Sequence, residues 1–220
     1  MMNQSTRGIY LIRHGMTKGN LEHRYLSYTE ESILPSEETL LKAFRVTHRE
    51  CLLREFDPES TSLVLSPRKR CMETAEVLLP ELRDHDVMVR ECLSEMDFGA
   101  FEYENYESLM SDPEKQAYYQ HFIDSGGELP FPEGERKAEF ITRVSDGFCD
   151  ILQELWHSNV KTICFVVHGG TIMGILDRFS CPRRSYFDWM CGCLEGYRMN
   201  ACMENGLPVL TEITKVTLRK

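Results

Sequence analysis

Short runs of apolar residues recur along the chain, and each predicts a buried β-strand. Two of them, residues 9–12 and 161–167, are rich in β-branched and aromatic side chains and lack the alternation of a half-exposed strand. Two further short runs, 62–65 and 87–89, also predict strands. Between these runs, apolar positions recur every three or four residues, which is typical of amphipathic helices. The chain therefore alternates strands with helices.

The predicted helices follow from this spacing and from the residues at their ends. We expect main helices at 36–55, 66–79, 135–156 and 171–178, and short ones near 106–110 and 114–123. Ser66 and Pro67 suit the N-cap and first turn of the second helix, which ends before Pro80. The last part of the chain alternates as strands, at 186–190, 197–202 and 209–214.

Strands separated by helices indicate βαβ units, which build a largely parallel sheet with helices on both faces. The predicted fold class is therefore α/β, a three-layer α/β/α sandwich with a mostly parallel central sheet. A length of 220 residues fits a single domain spanning 1–220. Residues 102–134 are acidic and rich in tyrosine and interrupt the alternation, so we expect a helical insertion over the functional site.

Composition limits the kind of partner. The formal net charge of −10 argues against nucleic acid and anionic membranes, although a local cationic pocket is compatible with it. Residues 1–6 are polar and do not resemble a signal peptide, and no apolar run approaches the ~20 residues of a membrane span. Nine scattered cysteines are typical of a reducing compartment. We expect a cytoplasmic protein without a membrane partner, whose oligomeric state stays open, with a homodimer as one option.

Two histidines follow the two longest apolar runs. The first run leads into Arg13-His14-Gly15, and the late run leads into His168-Gly169-Gly170. Ligands of open α/β sheets bind at the carboxyl ends of the strands, where a glycine lets the backbone turn sharply or approach the ligand. One histidine in such a place is as often structural as functional. Because two strands each deliver a histidine followed by glycine, a functional site is favoured.

A further cationic cluster lies at the start of the predicted second helix. Arg68, Lys69 and Arg70 fall in its first turn, where cations oppose the helix dipole and repel one another. An anion bound at the helix N-terminus would explain the cluster, whereas Arg68 and Lys69 also fit a solvated basic turn. Arg13 and Arg70 carry the planar guanidinium that pairs with phosphate in a bidentate way. Phosphate is therefore the first ligand to consider.

These residue types can transfer a phosphoryl group without a metal ion. A histidine can attack phosphorus, and arginines together with a protonated histidine can stabilise the charge on the phosphoryl oxygens. Glu95, between Leu93 and Met96, is a candidate acid for the leaving oxygen. Two histidines and a carboxylate also suit zinc or iron, but HExxH spacing is absent and two arginines would repel a divalent cation. A serine hydrolase is less favoured still, because no G-x-S-x-G motif occurs.

Five blocks of the sequence, in this order, resemble the signature blocks of the histidine phosphatase superfamily, the phosphoglycerate mutase-like proteins. They are Leu11-Ile-Arg-His-Gly-Met-Thr-Lys-Gly-Asn20, Ser66-Pro-Arg-Lys-Arg-Cys-Met-Glu-Thr-Ala75, Leu93-Ser-Glu-Met-Asp-Phe-Gly99, Phe131-Pro-Glu-Gly-Glu135 and Val167-His-Gly-Gly170. Together they cover most of the chain and are highly specific for the family. The resemblance implies a phosphoglycerate mutase-like fold and a phosphomonoesterase that needs no metal or other cofactor.

The resemblance also implies roles for particular residues. His14 would be phosphorylated and then hydrolysed, and Glu95 would protonate the leaving group and afterwards activate water. The substrate phosphate would be held by a set of side chains and one glycine at the strand ends: Arg13, Thr17, Asn20, Arg70, His168 and Gly169.

Within the superfamily, the branch containing α-ribazole phosphatase, which acts late in cobalamin assembly, and related broad phosphatases is the most similar. A small phosphorylated metabolite, with α-ribazole 5′-phosphate as one candidate, is the expected substrate. The substrate side departs from that branch's pattern at Ser27, Glu30, Arg68, Tyr103 and Arg136. Two alternatives stay open: a phosphoglycerate mutase-type phosphotransferase, and a protein that binds a phosphorylated ligand without catalysis.

Overall fold

The computed structural model describes residues 6–83, 85 and 87–219, so the polar segment 1–5 considered above lies outside it. The strands of the described chain are β1 (Arg7–Arg13), β2 (Thr61–Leu65), β3 (Val87–Val89), β4 (Thr162–Val167), β5 (Glu195–Glu204) and β6 (Leu207–Thr217). They form a six-stranded sheet in the order β3-β2-β4-β1-β5-β6. The first four strands in this order are parallel, and β5 and β6 are antiparallel to their neighbours.

Helices connect the strands. In the described residues these are α1 (Lys18–Leu21), α2 (Pro35–Thr47), α3 (Arg49–Glu55), α4 (Lys69–Leu78), α5 (Tyr106–Met110), α6 (Pro113–Asp124), α7 (Lys137–Trp156) and α8 (Gly169–Phe179). Short 3₁₀ helices occur at Pro80–Leu82, Glu91–Leu93, Gly99–Phe101 and Tyr186–Trp189.

The sheet separates two apolar cores because successive residues of a strand point to opposite faces. In β1, Ile9 and Leu11 pack into a core with α7 and α8, whereas Tyr10 and Ile12 pack into a second core with α2 and α4. β4 divides its residues in the same way. Helices therefore cover both faces of a mostly parallel sheet, which confirms the predicted α/β sandwich. The carboxyl ends of β1, β2 and β4 meet at one edge.

Three predicted elements differ in the structure. Residues 186–190 form a 3₁₀ helix at Tyr186–Trp189 instead of a strand, because Asp188 accepts the Ser185 N–H in a capping box. The expected helix 36–55 is interrupted at His48, which separates α2 from α3. Ser66 is not an N-cap, because α4 begins at Lys69 and Arg68 occupies the N-cap position.

Residues 102–134 carry α5 and α6, which form where the short helices were predicted. Their apolar side chains surround a third, smaller core made of Phe101, Leu109 and Phe131. The description of this stretch as an insertion within a single domain stays a prediction. No helix among residues 6–83, 85 and 87–219 is both long enough and apolar enough to cross a lipid bilayer.

Candidate active site

His14 and His168 lie side by side at the carboxyl edge of the sheet. β1 and β4 pair in parallel with Arg13 opposite Val167, and the His14 N–H donates to the Val167 carbonyl over 3.0 Å. This register places the two imidazole ring centroids 5.2 Å apart, with an angle of 67° between the ring planes. Both side chains are buried. The two predicted histidines thus belong to one site.

The His14 imidazole is held in one tautomer. Its Nδ1 lies 2.8 Å from the Gly15 carbonyl oxygen, and because a carbonyl only accepts, Nδ1 carries the proton and donates it. Burial, followed by the positive charges of Arg70 and Arg13, lowers the pKa of His14 well below its usual value. The ring is therefore neutral, and its Nε2 keeps a lone pair.

His168 has polar partners on both ring nitrogens. Arg70 Nη2 lies 3.3 Å from its Nδ1, and because a guanidinium only donates, Nδ1 accepts. The Nε2–H then donates to Ser66 Oγ at 2.7 Å. Burial, followed by the positive charges of Arg70 and Arg13, lowers the pKa of His168 well below the usual range. Ser66 is a site residue that the sequence analysis assigned to helix capping.

Arg70 is fully buried and has no carboxylate within ion-pair distance in the part of the chain described here. Its guanidinium donates instead to the carbonyls of Leu26, Ser27 and Thr29, at 3.3, 2.8 and 3.1 Å. That loop is held by the Glu102 carboxylate, which accepts the N–H groups of Ser27 and Thr29. Burial lowers the pKa of Arg70, yet an arginine stays charged in proteins. A buried cation without a charged partner favours an anionic ligand.

Arg13 brings a second guanidinium to the N-terminus of α8. Its Nη1 donates to the Cys191 carbonyl at 2.7 Å, while its buried Nε has no partner in the described chain. The group lies against Gly169, where an added Cβ would be 3.3 Å from Arg13 Cζ. The absence of a side chain at Gly169 therefore lets this cation approach a helix N-terminus. Such an end attracts anions through its N–H groups and its dipole.

Glu95 lies opposite this cation, on the loop after the 3₁₀ helix Glu91–Leu93. Its Oε2 accepts the Gly170 N–H at 3.0 Å, and its Oε1 accepts the Met96 N–H at 3.0 Å. A Cβ at Gly170 would overlap Oε1. Gly170, the second residue of α8, therefore gives the carboxylate its position.

Arg143 and Glu135 hold the Glu95 loop in place, and the sequence analysis assigned neither of them to the site. Arg143 donates to the carbonyls of Cys92, Ser94 and Glu95 at 3.1–3.2 Å. Its Nε and Nη2 form a two-pronged ion pair with Glu135, each at 2.7 Å. These contacts connect the loop to α7, one of the main core helices.

Thr17 and Asn20 form the capping box of α1. The Thr17 hydroxyl accepts the Asn20 N–H, and Asn20 Oδ1 accepts both the N–H and the hydroxyl of Thr17. Thr17 is fully buried, so its side chain acts as a helix cap in this structure. Asn20 uses its oxygen in the cap, which leaves its amide NH₂ as the group able to donate to a ligand. Phosphate contact by either residue stays a prediction.

The three cations at the start of α4 have two different surroundings: Arg68 and Lys69 lie near Glu30, whereas Arg70 lies in the site. Glu30 accepts the Lys69 N–H at 2.8 Å and lies 3.4 Å from Arg68 Nη1, and Arg68 Nη2 also pairs with Glu91 at 2.7 Å. The anion at this helix N-terminus is therefore the protein's own Glu30 carboxylate. Of the three cations in the predicted cluster, Arg70 is the one that contacts the histidines.

A cavity of about 600 Å³ opens beside these groups. Arg13, Glu95, Gly169 and Gly170 line its inner end, and aromatic and aliphatic side chains line most of the remainder. Arg13, Glu95 and the N-terminus of α8 line this end, whereas His14 and Arg70 are buried beneath the site and do not line the cavity themselves. The site as a whole combines a neutral imidazole, two arginines, a helix N-terminus and a carboxylate. That arrangement suits phosphoryl transfer, which depends on positioning and on stabilising charge at the equatorial oxygens.

Residues 9–192 match the family model described as histidine phosphatase superfamily, branch 1. The chain belongs to this superfamily. The match confirms the family that the five sequence blocks indicated, and it confirms phosphoric monoester hydrolysis as the reaction class.

Individual relatives agree with this family. A broad-specificity phosphatase of Saccharomyces cerevisiae is 28% identical over 171 residues, which cover 76% of this chain and 68% of the relative. The α-ribazole phosphatase of Shigella flexneri shares the fold with a TM-score of 0.74 at 21% identity, over 93% of this chain and 94% of that one. A phosphoserine phosphatase of Entamoeba histolytica, solved with 3-phosphoglyceric acid, has a TM-score of 0.71 at 21% identity, over 97% and 100%.

Proposed function

We propose that this histidine phosphatase hydrolyses small phosphomonoesters through a phosphohistidine formed on Nε2 of His14, without a metal ion. The observation that carries the proposal is the donation from His14 Nδ1 to the Gly15 carbonyl. It directs the remaining lone pair to Nε2 in a ring whose lowered pKa keeps it neutral. A neutral imidazole nitrogen beside two arginines is the nucleophile that phosphoryl transfer requires.

In the first step, His14 Nε2 forms a bond to phosphorus while the bond from phosphorus to the ester oxygen breaks. Arg13 and Arg70 stabilise the negative charge on the equatorial oxygens. The dianion also offsets the arginine charge around His168. That ring takes up a proton from solvent at Nδ1 in place of its hydrogen bond from Arg70, donates a hydrogen bond to a phosphoryl oxygen, and releases the proton when inorganic phosphate leaves. Glu95 gives its proton to the departing oxygen, so the product leaves as an alcohol.

In the second step, the Glu95 carboxylate takes a proton from a water molecule, and that water attacks the phosphohistidine. The N–P bond breaks, inorganic phosphate forms and neutral His14 is regenerated. Glu95 acts as acid in the first step and as base in the second, as microscopic reversibility requires of one carboxyl group. The same residues therefore close the cycle with water as the one further reactant.

The test is to trap the phosphorylated enzyme. The protein is mixed with a ³²P-labelled aryl phosphate in excess chelator and quenched in alkali, in which phosphohistidine survives. We expect label on the parent and on His121→Ala, which alters an exposed histidine of α6, and none on His14→Ala. Turnover that is lost in chelator, or label that persists in His14→Ala, would overturn the proposal.

The same labelled enzyme separates the two alternatives. A mutase would pass the label from its histidine to monophosphoglycerate, which gives labelled bisphosphoglycerate, whereas a phosphatase passes the label to water. A binding protein would take up phosphate without any turnover. Intact Arg13, His14, Arg70, Glu95 and His168 favour an enzyme over a binding protein, and the short middle segment favours a phosphatase over a mutase.

For the natural substrate, α-ribazole 5′-phosphate is the first compound to screen, because the Shigella protein with a similar fold is named an α-ribazole phosphatase.

Cytoplasmic location and a homodimer are further proposals. Cell fractionation would check the first, and light scattering would check the second. We also propose that residues 102–134 are an insertion that covers the site, since Phe122, Ile123 and Phe131 line the cavity.

A further inference from the structure

The cavity extends outward from the residues proposed to bind phosphate, and apolar and aromatic side chains line this outer part. Six rings line it, contributed by three separate parts of the chain: Tyr25, Phe98, Phe122, Phe131, Tyr186 and Phe187. Phe98 and Phe131 meet edge to face with ring centroids 5.1 Å apart, and Phe122 lies 4.6 Å from Phe131. These rings therefore form a preformed wall that begins at Glu95 and Arg13.

The mouth of the cavity exposes several large apolar side chains. Ile123 is 51% exposed, Leu129 39%, Phe187 60% and Met190 60%. These four side chains belong to two segments, 123–129 and 187–190, that line the same cavity. Exposed apolar side chains gathered at a pocket are typical of a surface that is covered by a ligand. Because Arg13 and Glu95 line this cavity too, a ligand that covers these side chains would also reach the proposed acid.

Charged groups on the lining already have partners. Lys137 Nζ lies 2.5 Å from Glu128, and Glu135 is held by the two-pronged pair with Arg143. Arg13 is assigned to the substrate phosphate, and Glu95 is a carboxyl group, which cannot pair with an anion. Among the described lining residues, no cation remains to pair with a second anionic group of a substrate. A carboxylate placed here would lose its hydration without gaining a partner.

We propose that this cavity binds the leaving group of the substrate, and that this leaving group is an uncharged, ring-bearing apolar alcohol. The proposal rests on the phosphomonoesterase function above and specifies its substrate class. The phosphate binds at Arg13, Arg70 and His168, and the ring packs against Phe131 and under Phe187. Rings are favoured over chains because aromatic side chains pair with rings in offset or edge-to-face geometry.

A matched series of esters tests the substrate class. Phenethyl phosphate, ethyl phosphate and the phosphate ester of β-hydroxypropanoate all release primary alcohols, so their intrinsic leaving abilities are similar. We expect kcat/KM for phenethyl phosphate to exceed that for ethyl phosphate by about ten- to hundredfold, from burial of one ring. The carboxylate ester should be the poorest of the three. Equal values, or preference for the carboxylate ester, would overturn the proposal.

Two substitutions at Phe187 test the location. Phe187→Ala should reduce the preference for phenethyl over ethyl phosphate by about three- to tenfold, because it removes apolar contact area. Phe187→Lys should raise kcat/KM for the carboxylate ester by about two- to fivefold, because it adds an exposed cation to the mouth. Leu207 is a matched control, since it is also large, apolar and exposed but lies at the start of β6, away from the cavity. Leu207→Ala and Leu207→Lys should leave all three values unchanged.

The outcomes separate this proposal from the function it rests on. If none of the esters is hydrolysed and no phosphoenzyme forms with an aryl phosphate, the phosphatase function itself fails. If all esters are hydrolysed but the ring gives no advantage, the function stands and the substrate class is wrong. If the ring preference exists but survives both Phe187 substitutions unchanged, the ring binds outside this cavity and the proposal is overturned.

Discussion

The Glu95 carboxylate occupies the space that a side chain at Gly170 would fill. Gly170 N–H donates to Glu95 Oε2 at 3.0 Å, and a Cβ on Gly170 would overlap Glu95 Oε1. One residue thus supplies both the donor and the room for the proposed acid. The second glycine of His168-Gly169-Gly170 is therefore required by the proposed acid, and the first by Arg13.

Gly170→Ala should displace the Glu95 carboxylate and lower kcat by about a hundredfold or more, the typical worth of a positioned acid–base group. Phosphate binding should persist, because Arg13 and Arg70 are untouched. Steady-state kinetics with an aryl phosphate, and phosphate binding by calorimetry, measure the two effects. Gly8→Ala is the control, since its new Cβ would meet neighbours at ordinary distances of 3.7 and 3.8 Å. Full activity in Gly170→Ala would show that Glu95 is not the acid.

Arg143→Lys should lower kcat between about tenfold and a hundredfold and leave KM almost unchanged. Lysine retains the charge opposite Glu135 but cannot also reach the carbonyls of Ser94 and Glu95, so the acid shifts relative to the ester oxygen. The kcat and KM of both proteins, with thermal unfolding as a check on folding, test this. Arg90→Lys alters an exposed pair with Glu154 and should behave as the parent. A raised KM at unchanged kcat would contradict a positioning role.

The residues that sequence reasoning brought to the site, apart from Glu95, share one property. Each of them lies at a strand end or at the first turn of the helix that follows, and parallel strands place these ends on one edge. His14 follows β1, His168 follows β4, and Arg70 begins the helix after β2, which pairs with β4. Local hydrophobic patterns are therefore enough to predict this part of the site.

Residues that act through distant contacts could not be predicted in this way. Ser66 and His168 are 102 positions apart, and Arg143 and Glu95 are 48 apart. No local pattern distinguishes Arg143 from an exposed helical cation. Glu30 likewise caps α4 from a loop 39 residues upstream, so the basic turn that suggested a bound ligand has an internal partner in part.

One wrong prediction and one missed turn could have been recognised from neighbouring residues in the sequence. The alternation at 186–190 predicts a strand, which is wrong, and Ser185 and Asp188 have the three-residue spacing of a capping box. Asn205-Gly206, with positive φ values of 53° and 81°, forms the two-residue turn between β5 and β6. This dipeptide is a strong hairpin signal and predicts the antiparallel pairing of these two strands.

Anions should stabilise the protein through Arg70. Phosphate at about 100 times its Kd adds about 2.7 kcal/mol to the free energy of unfolding, which corresponds to a rise in Tm of roughly 5–10 °C for a chain of this size. Arg70→Met should abolish this rise, because the buried cation has no carboxylate partner in the described chain. The quantity compared is the change in Tm caused by phosphate, so a lower starting Tm in the variant does not affect the conclusion.

Arg90→Met is the matched control for that measurement, since Arg90 pairs with Glu154 on the surface. Arg90→Met should show the same phosphate-induced rise in Tm as the parent protein. Arg70→Lys retains the charge without the planar fork and should keep part of it. A phosphate effect of the same size in Arg70→Met would place the anion elsewhere.

The rate should depend on pH with an acidic limb well below that of an ordinary histidine. Neutral His14 is the proposed attacking form, and burial with Arg70 and Arg13 lowers its pKa well below the usual value of about 6.5. The profile of kcat/KM, which reports the free enzyme, should therefore show no acidic limb from His14 near pH 6.5 once ionisation of the substrate phosphate is allowed for, and Glu95→Gln should lower the rate. An acidic limb in kcat/KM that is centred near 6.5 and does not belong to the substrate would argue against a buried neutral nucleophile.

The same lowered pKa values predict how stability changes with pH. His14 and His168 stay neutral in the folded protein below pH 6.5, whereas the unfolded chain takes up both protons there. The unfolded state then binds more protons, so the free energy of unfolding decreases as the pH falls below about 6.5. The limiting slope from two histidines is about 2.7 kcal/mol per pH unit.

Urea unfolding at several pH values between 5 and 7 measures this slope, and the double variant His14→Asn/His168→Asn should reduce it. Imidazole NMR gives the direct check, because both rings should still be neutral at a pH well below 6.5. Arg70→Met should move the His14 titration to higher pH, since Arg70 is the largest charge acting on that ring. If the double variant keeps the parent's slope, other groups cause the acid sensitivity, and the two histidines are not held neutral by the fold.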